Sequence, residues 1–186
     1  MTGNDYSARN IALGGMFIAL MSVAAWVKID TGIISITFQL IVAVISGIVL
    51  GPKIGPLSMV AYMFLGLAGL PIFTSGGGIG YFAQPSMGFI MSFPATSYVA
   101  AVFWNNLWWR RILAILLSIV VSYAIGIAWM LVWSITIGET ILTFWGIMTS
   151  WGFAFLLKDI GLGVVLFITA FTLDKLLPKS EDSNIS

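Results

Sequence analysis

Long apolar stretches separated by charged residues, glycine or proline organise this chain from about residue 9 onward. Read as helices, they fall at 9–27, 36–50, 54–71, 86–104, 111–137 and 146–177. That pattern predicts about six crossings of a bilayer. The second and third stretches are joined only by Gly51-Pro52-Lys53. So short a link admits nothing but a tight hairpin between antiparallel neighbours. The longest outward connection, 71–85, reads PIFTSGGGIGYFAQP and is bounded by prolines. Its glycines allow positive φ and close backbone approach, so it is the expected lid over the mouth of the bundle.

Composition makes lipid the solvent. The chain has 186 residues, of which 60% are hydrophobic and 8% charged, with a mean hydropathy of +1.06. A soluble domain carries roughly a quarter charged residues. The shortfall runs along the whole chain, so a single anchor on a soluble domain does not account for it. The polar start, Met1 to Asn10, leads into an apolar run without a small-residue cleavage site before Lys28, which predicts a retained first helix. The expected organisation is one membrane domain over residues 1–186, all-α and multi-pass.

Charge then supplies an orientation. With six crossings both termini share a side, and that side collects Arg9, Lys53, Arg110, Arg111, Lys175 and Lys179. The opposite connections hold Lys28 with Asp30 and Glu139. The positive-inside rule puts both termini in the cytoplasm. Trp104, Trp108 and Trp109 fit an inner interfacial belt, and Trp145 and Trp151 an outer one.

Cysteine and histidine are absent, which removes disulfides, thiol nucleophiles, imidazole bases and the usual zinc ligands. No cofactor or metal is expected. No basic stripe with interleaved aromatics points to nucleic acid. G-x-x-x-x-G-K-[ST] is missing as well, so ATP would have to be handled by a partner. An intramembrane enzyme fits least, because Asp159 has no second in-span carboxylate to share acid–base work.

The candidate chemistry lies in a few polar side chains. Lys158-Asp159 sits inside the final apolar stretch, where charges are costly and mark function. Adjacent residues point about 100° apart on a helix, so the pair cannot satisfy itself and a ligand site is favoured over a self-neutralising pair. Thr37 and Gln39 add donors and acceptors at the outer end of the second helix, where interhelical bonding is the competing role. Gly77 and Gly78 in the lid, with Tyr81, Phe82 and Phe89 as stacking surfaces, complete the set. The first helix presents Ala12, Gly15 and Ala19, with Ala24 nearby, as a smooth face for internal packing or for docking another helix.

SITFQ, then LGPKIGPLSMVAYMFLGLAGLPIFTSGGGIG, then QPSMGF and finally KDIGL occur in the order and spacing of the BioY family, which the chain resembles over roughly residues 10 to 177. That family is the biotin-binding S component of energy-coupling factor (ECF) transporters. The resemblance implies a six-helix S-component bundle in a prokaryotic plasma membrane, a lid that closes over the vitamin, and a first helix docked on a coupling membrane subunit. Two ATPase subunits would complete the module. Thr37 and Gln39 match the family's Pro-Ile-Thr-Leu-Gln segment, with Ser35 in place of proline, and Asp159 matches the aspartate of Pro-Gly-Asp-Leu-Ile-Lys. Leu162 stands where that pattern has lysine, but Lys158 lies four residues earlier on the same helix face. Gln84-Pro85-Ser86-Met87-Gly88-Phe89-Ile90 replaces Gly-Pro-Thr-Gly-Gly-Tyr-Leu, so two glycines have become bulky and a tyrosine lacks its hydroxyl. The expectation is biotin capture. Lipoate or another small carboxylate vitamin is the rival ligand, and a small channel or scaffold the rival class.

Overall fold

The computed structural model describes residues 8–30, 35–105 and 107–136, and beyond them 145, 146, 149, 159–161, 163, 164 and 168. Among the described residues four long helices carry the architecture: α1 (Ala8–Trp26), α2 (Gln39–Leu67), α3 (Met87–Phe103) and α4 (Trp108–Thr136). α1, α2 and α4 are long and apolar enough to cross a membrane, and α3 is a slightly shorter apolar helix. The predicted spans 9–27, 86–104 and 111–137 agree with α1, α3 and α4 to within a few residues. The span predicted at 146–177 lies largely outside the described residues.

The predicted hairpin at Gly51-Pro52-Lys53 is present and is tighter than a three-residue link. The helical run of α2 is interrupted at Gly51 alone, with φ 78 and ψ −179, a conformation that glycine adopts without a Cβ penalty. Pro52 then opens the second arm, where its missing N–H costs nothing. The arms, 39–50 and 52–67, run antiparallel. Gln39 meets Tyr62 at the far end, while a Cβ on Gly55 would lie 2.8 Å from Ser46 O and 2.9 Å from Gly47 Cα, close to the bend.

α2 packs chiefly on α3, α3 on α4, and α1 on α2. Small residues let these backbones approach closely, as in membrane helix pairs. A Cβ on Gly47 would collide with the carbonyl of Ser97, and one on Gly14 would lie 2.8 Å from Ser58 Oγ. Serine pairs bridge the helices: Ser46 and Ser97 hydroxyls at 2.9 Å, and Ser92 and Ser122 at 2.9 Å. Large apolar side chains such as Ile11, Val23, Phe64, Val120 and Val132 point outward, a surface suited to lipid.

One expectation is corrected. The second helix was expected from residue 36, but Ser35–Thr37 is a strand, β2, paired antiparallel with β1 (Lys28–Asp30) in the register Lys28↔Thr37. The all-α class therefore holds apart from this short hairpin. The segment Ser-Ile-Thr has the two-residue alternation of a strand, and pairing with β1 satisfies its backbone.

Candidate functional site

The N-terminal end of α2 gathers polar chemistry. Gln39 is only 4% exposed, and its Nε2 donates to Tyr62 Oη at 2.8 Å. Tyr62 Oη in turn donates to the carbonyl of Ile72 at 2.8 Å, and Thr37 Oγ1 donates to Gln39 Oε1 at 3.2 Å. The predicted pair Thr37 and Gln39 thus forms one network with a tyrosine and with the start of the lid.

The segment 71–85, the expected lid, is a built structure. α2 ends with Gly69 at φ 113, and the chain returns so that Gly78 N donates to Gly66 O at 2.7 Å. Phe73 is buried over Gly66, where any Cβ would fall on its ring. That ring meets Tyr62 edge-on at 5.4 Å and Tyr81 at 4.6 Å. A 3₁₀ helix, Ile79–Ala83, follows. Lys28 Nζ donates to Thr74 O at 2.9 Å, and Trp133 and Trp129 donate to Ala83 O and Gln84 O at 2.6 and 3.2 Å. The lid is therefore tied to β1, to α2 and to α4.

This architecture redistributes the roles expected of the lid residues. The Gly78 amide, expected to face a ligand, is spent on Gly66 O. Gly77 lies where a Cβ would strike Leu70 O, so its close approach is to the chain's own backbone. Tyr81 is buried against Phe73, with its hydroxyl 2.6 Å from Thr74 Oγ1 and 3.2 Å from Ser86 Oγ. Phe82 is exposed and packs towards Trp129 at 6.1 Å.

Asp159 is 6% exposed and accepts a hydrogen bond from Tyr123 Oη to Oδ2 at 2.7 Å. Leu40 and Val44 of α2 and Ile115 and Ile119 of α4 line a cavity of about 10 Å³ beside it, room for about one water. Leu40, which follows Gln39 at the start of α2, lines this cavity. Phe89 reaches the same region, edge-on to Tyr123 at 5.8 Å and packed over Gly126. Lys158 lies outside the described residues.

Sequence reasoning missed the two tyrosines that hold Gln39 and Asp159. The available signal was a phenol in mid-span, whose hydroxyl must find a partner. Arg111, counted from the sequence among the charges of the cytoplasmic side, is 5% exposed, with Nε donating to Asn105 O at 2.9 Å and its guanidinium 5.4 Å from the Trp104 ring. Ala12, Gly15 and Ala19 are exposed on α1, whereas Gly14 is the residue turned inward on Ser58. No cluster of potential metal ligands occurs among the described residues.

Comparison with known proteins decides the family. The family model for BioY matches residues 1–179. The chain belongs to the BioY family. It is 35% identical over 124 residues to a protein of Pyrococcus horikoshii named "Probable biotin transporter BioY", covering 66% of this chain and 75% of that one. It is 32% identical over 130 residues to the biotin transporter BioY of Rhodobacter capsulatus, covering 64% and 67%. Its fold is shared with a crystal structure of the S-component for biotin from an ECF-type ABC transporter, at a TM-score of 0.76 and 22% identity over 94% of this chain and 95% of that one. BioY is a family of transporters, not of enzymes, and this member is a multi-pass membrane protein.

Proposed function

We propose that this chain is the substrate-binding membrane subunit of an ECF-type vitamin uptake transporter and that its vitamin is biotin. The observation that carries the reading is the buried Asp159 carboxylate, held by Tyr123 next to Leu40 and Val44 of α2 and Ile115 and Ile119 of α4. Such a carboxylate is costly to bury and is retained for function. Membership of BioY and the names of its relatives supply the ligand class.

Biotin carries a ureido group with two N–H donors, a carboxylate and an apolar ring and tail. Asp159 accepts the ureido hydrogens, Lys158 pairs with the carboxylate or the ureido oxygen, and Thr37 and Gln39 complete the polar set. Phe89, edge-on to Tyr123, lies next to the proposed site, and Tyr81, Gly77 and Gly78 act through the folding of the lid. The bundle has six spans with both termini in the cytoplasm, in a prokaryotic plasma membrane. The exposed Ala12, Gly15 and Ala19 face docks on the coupling subunit of an ECF module, whose two ATPase subunits supply the energy.

The rival ligand is separated by chemistry. Lipoate's dithiolane has no N–H donors, so it would use Lys158 and ignore Asp159. In a ligand thermal-shift assay with biotin, both Asp159→Asn and Lys158→Met are expected to lose the shift. Loss with Lys158→Met alone, together with a shift given by lipoate, would move the assignment to lipoate.

A further inference from the structure

We infer that Tyr62 is a positioning residue that couples the substrate contact at Gln39 to closure of the lid, without touching substrate itself. The inference rests on the biotin-binding reading above.

The Tyr62 hydroxyl has partners in two parts of the fold. It accepts from Gln39 Nε2 and donates to Ile72 O, each at 2.8 Å. A hydroxyl has one proton, so with the Gln39 amide donating to it that proton is committed to the lid carbonyl. Thr37 Oγ1 fixes the other end of the amide by donating to Oε1. Thr37, Gln39, Tyr62 and Ile72 therefore form a chain with one direction, running from β2 to the lid, and bonds in such a chain polarise one another.

Rotation of Gln39 breaks the chain at both ends. The Tyr62 side chain is completely buried, and its ring is held against Phe73. It has no room to follow, so the hydroxyl and the Ile72 carbonyl would be left mismatched in a dry environment. Each polar atom of the Gln39 amide has one further hydrogen-bond position, and Tyr62 sets the direction in which that position is presented. A ligand that engages Gln39 in this orientation stabilises the arrangement in which Ile72 is held. Other ties on the lid run to Lys28, Trp129 and Trp133, from Gly78 N to Gly66 O, and from the Tyr81 hydroxyl to Ser86. Tyr62 is an anchor bonded directly to the candidate ligand-binding amide of Gln39 and to the lid carbonyl of Ile72.

The test uses the full chain in lipid nanodiscs with a single reporter. The sequence has no cysteine, and Ile79 at the lid tip is 79% exposed, so Ile79→Cys accepts one nitroxide spin label. In the otherwise unaltered chain, biotin is expected to restrict the label. With Tyr62→Phe, which keeps the ring, biotin is expected to bind but to dissociate about tenfold faster, with the label as mobile at saturating biotin as without it. A purely structural tyrosine would lower thermal stability and leave the lid response intact, which would overturn the inference. Gln39→Leu provides the second variant: at saturating biotin its lid response should also vanish, and a preserved response overturns the coupling. If the labelled parent binds no biotin, the functional reading fails and this inference with it. If it binds and Tyr62→Phe responds like the parent, the coupling alone fails.

Discussion

Gly66→Ala places a methyl group in the socket that holds the lid. The ideal Cβ lies 2.6 Å from Cε2 of Phe73 and nearer still to Cζ and Cε1. Ordinary carbon contacts are about 3.5–4.0 Å, so the ring must retreat by about 1 Å or more. Two responses are open. Retreat with the lid still down is overpacking, at about 1–3 kcal/mol. Ejecting Phe73 forfeits its burial, about 1.5–3 kcal/mol, and its ring contacts with Tyr62 and Tyr81, about 0.5–1.5 kcal/mol each. The first response costs less, and its cost falls on the closed lid. Biotin affinity is therefore expected to weaken roughly 5- to 150-fold. The assay is equilibrium binding of labelled biotin to purified protein, with Gly80→Ala as control. Gly80 lies in the same loop but has open space around its Cβ position and no positive φ, so its alanine variant should bind like the parent. Parent-like affinity in Gly66→Ala would refute the claim that Phe73 seated over Gly66 belongs to the ligand-retaining lid.

Three further outcomes follow from the packing. Gly47→Ala drives a methyl into the Ser97 backbone and strains the 2.9 Å Ser46–Ser97 bond, so thermal unfolding should show a loss of about 2–4 kcal/mol, against no change for a neutral site. Tyr123→Phe removes the 2.7 Å bond to Asp159 but keeps the ring against Phe89, and calorimetric titration should show biotin affinity about tenfold weaker; unchanged affinity would mean that Tyr123 does not orient the carboxylate. Gly15→Leu adds bulk to an exposed α1 face with nothing within 4 Å, so biotin binding should persist while co-purification with the coupling subunit falls; intact co-purification would remove this face from the interface.

What could be read from the chain depended on how local each cause was. The Gly51 hairpin was legible because a three-residue link between apolar runs leaves no other path, and a single glycine at φ 78 makes the turn. Gln39 and Asp159 were legible because polar atoms in apolar spans are costly, and both are buried and hydrogen-bonded. The β1–β2 pairing was not, because Ser35–Thr37 merges into the apolar run that follows and its partner, Lys28–Asp30, lies in the preceding connection. Tyr62 and Tyr123 were not singled out; only the folded chain brings their hydroxyls to Ile72 and Asp159, 10 and 36 residues away. The lid glycines were read as open to ligand, but Gly78 and Gly77 are used in folding the loop onto the end of α2. Arg111 was read from charge alone, which carries no sign that it would fold back on Asn105 and Trp104.

The central claim is biotin capture by this chain, and direct binding tests it. Purified protein in detergent or nanodiscs is titrated with tritiated biotin, with excess unlabelled biotin or lipoate as competitor. The account predicts saturable binding of one biotin per chain well below millimolar concentration, displaced by biotin and not by lipoate. Absence of saturable binding below millimolar, or displacement by lipoate at equal concentration, would contradict it.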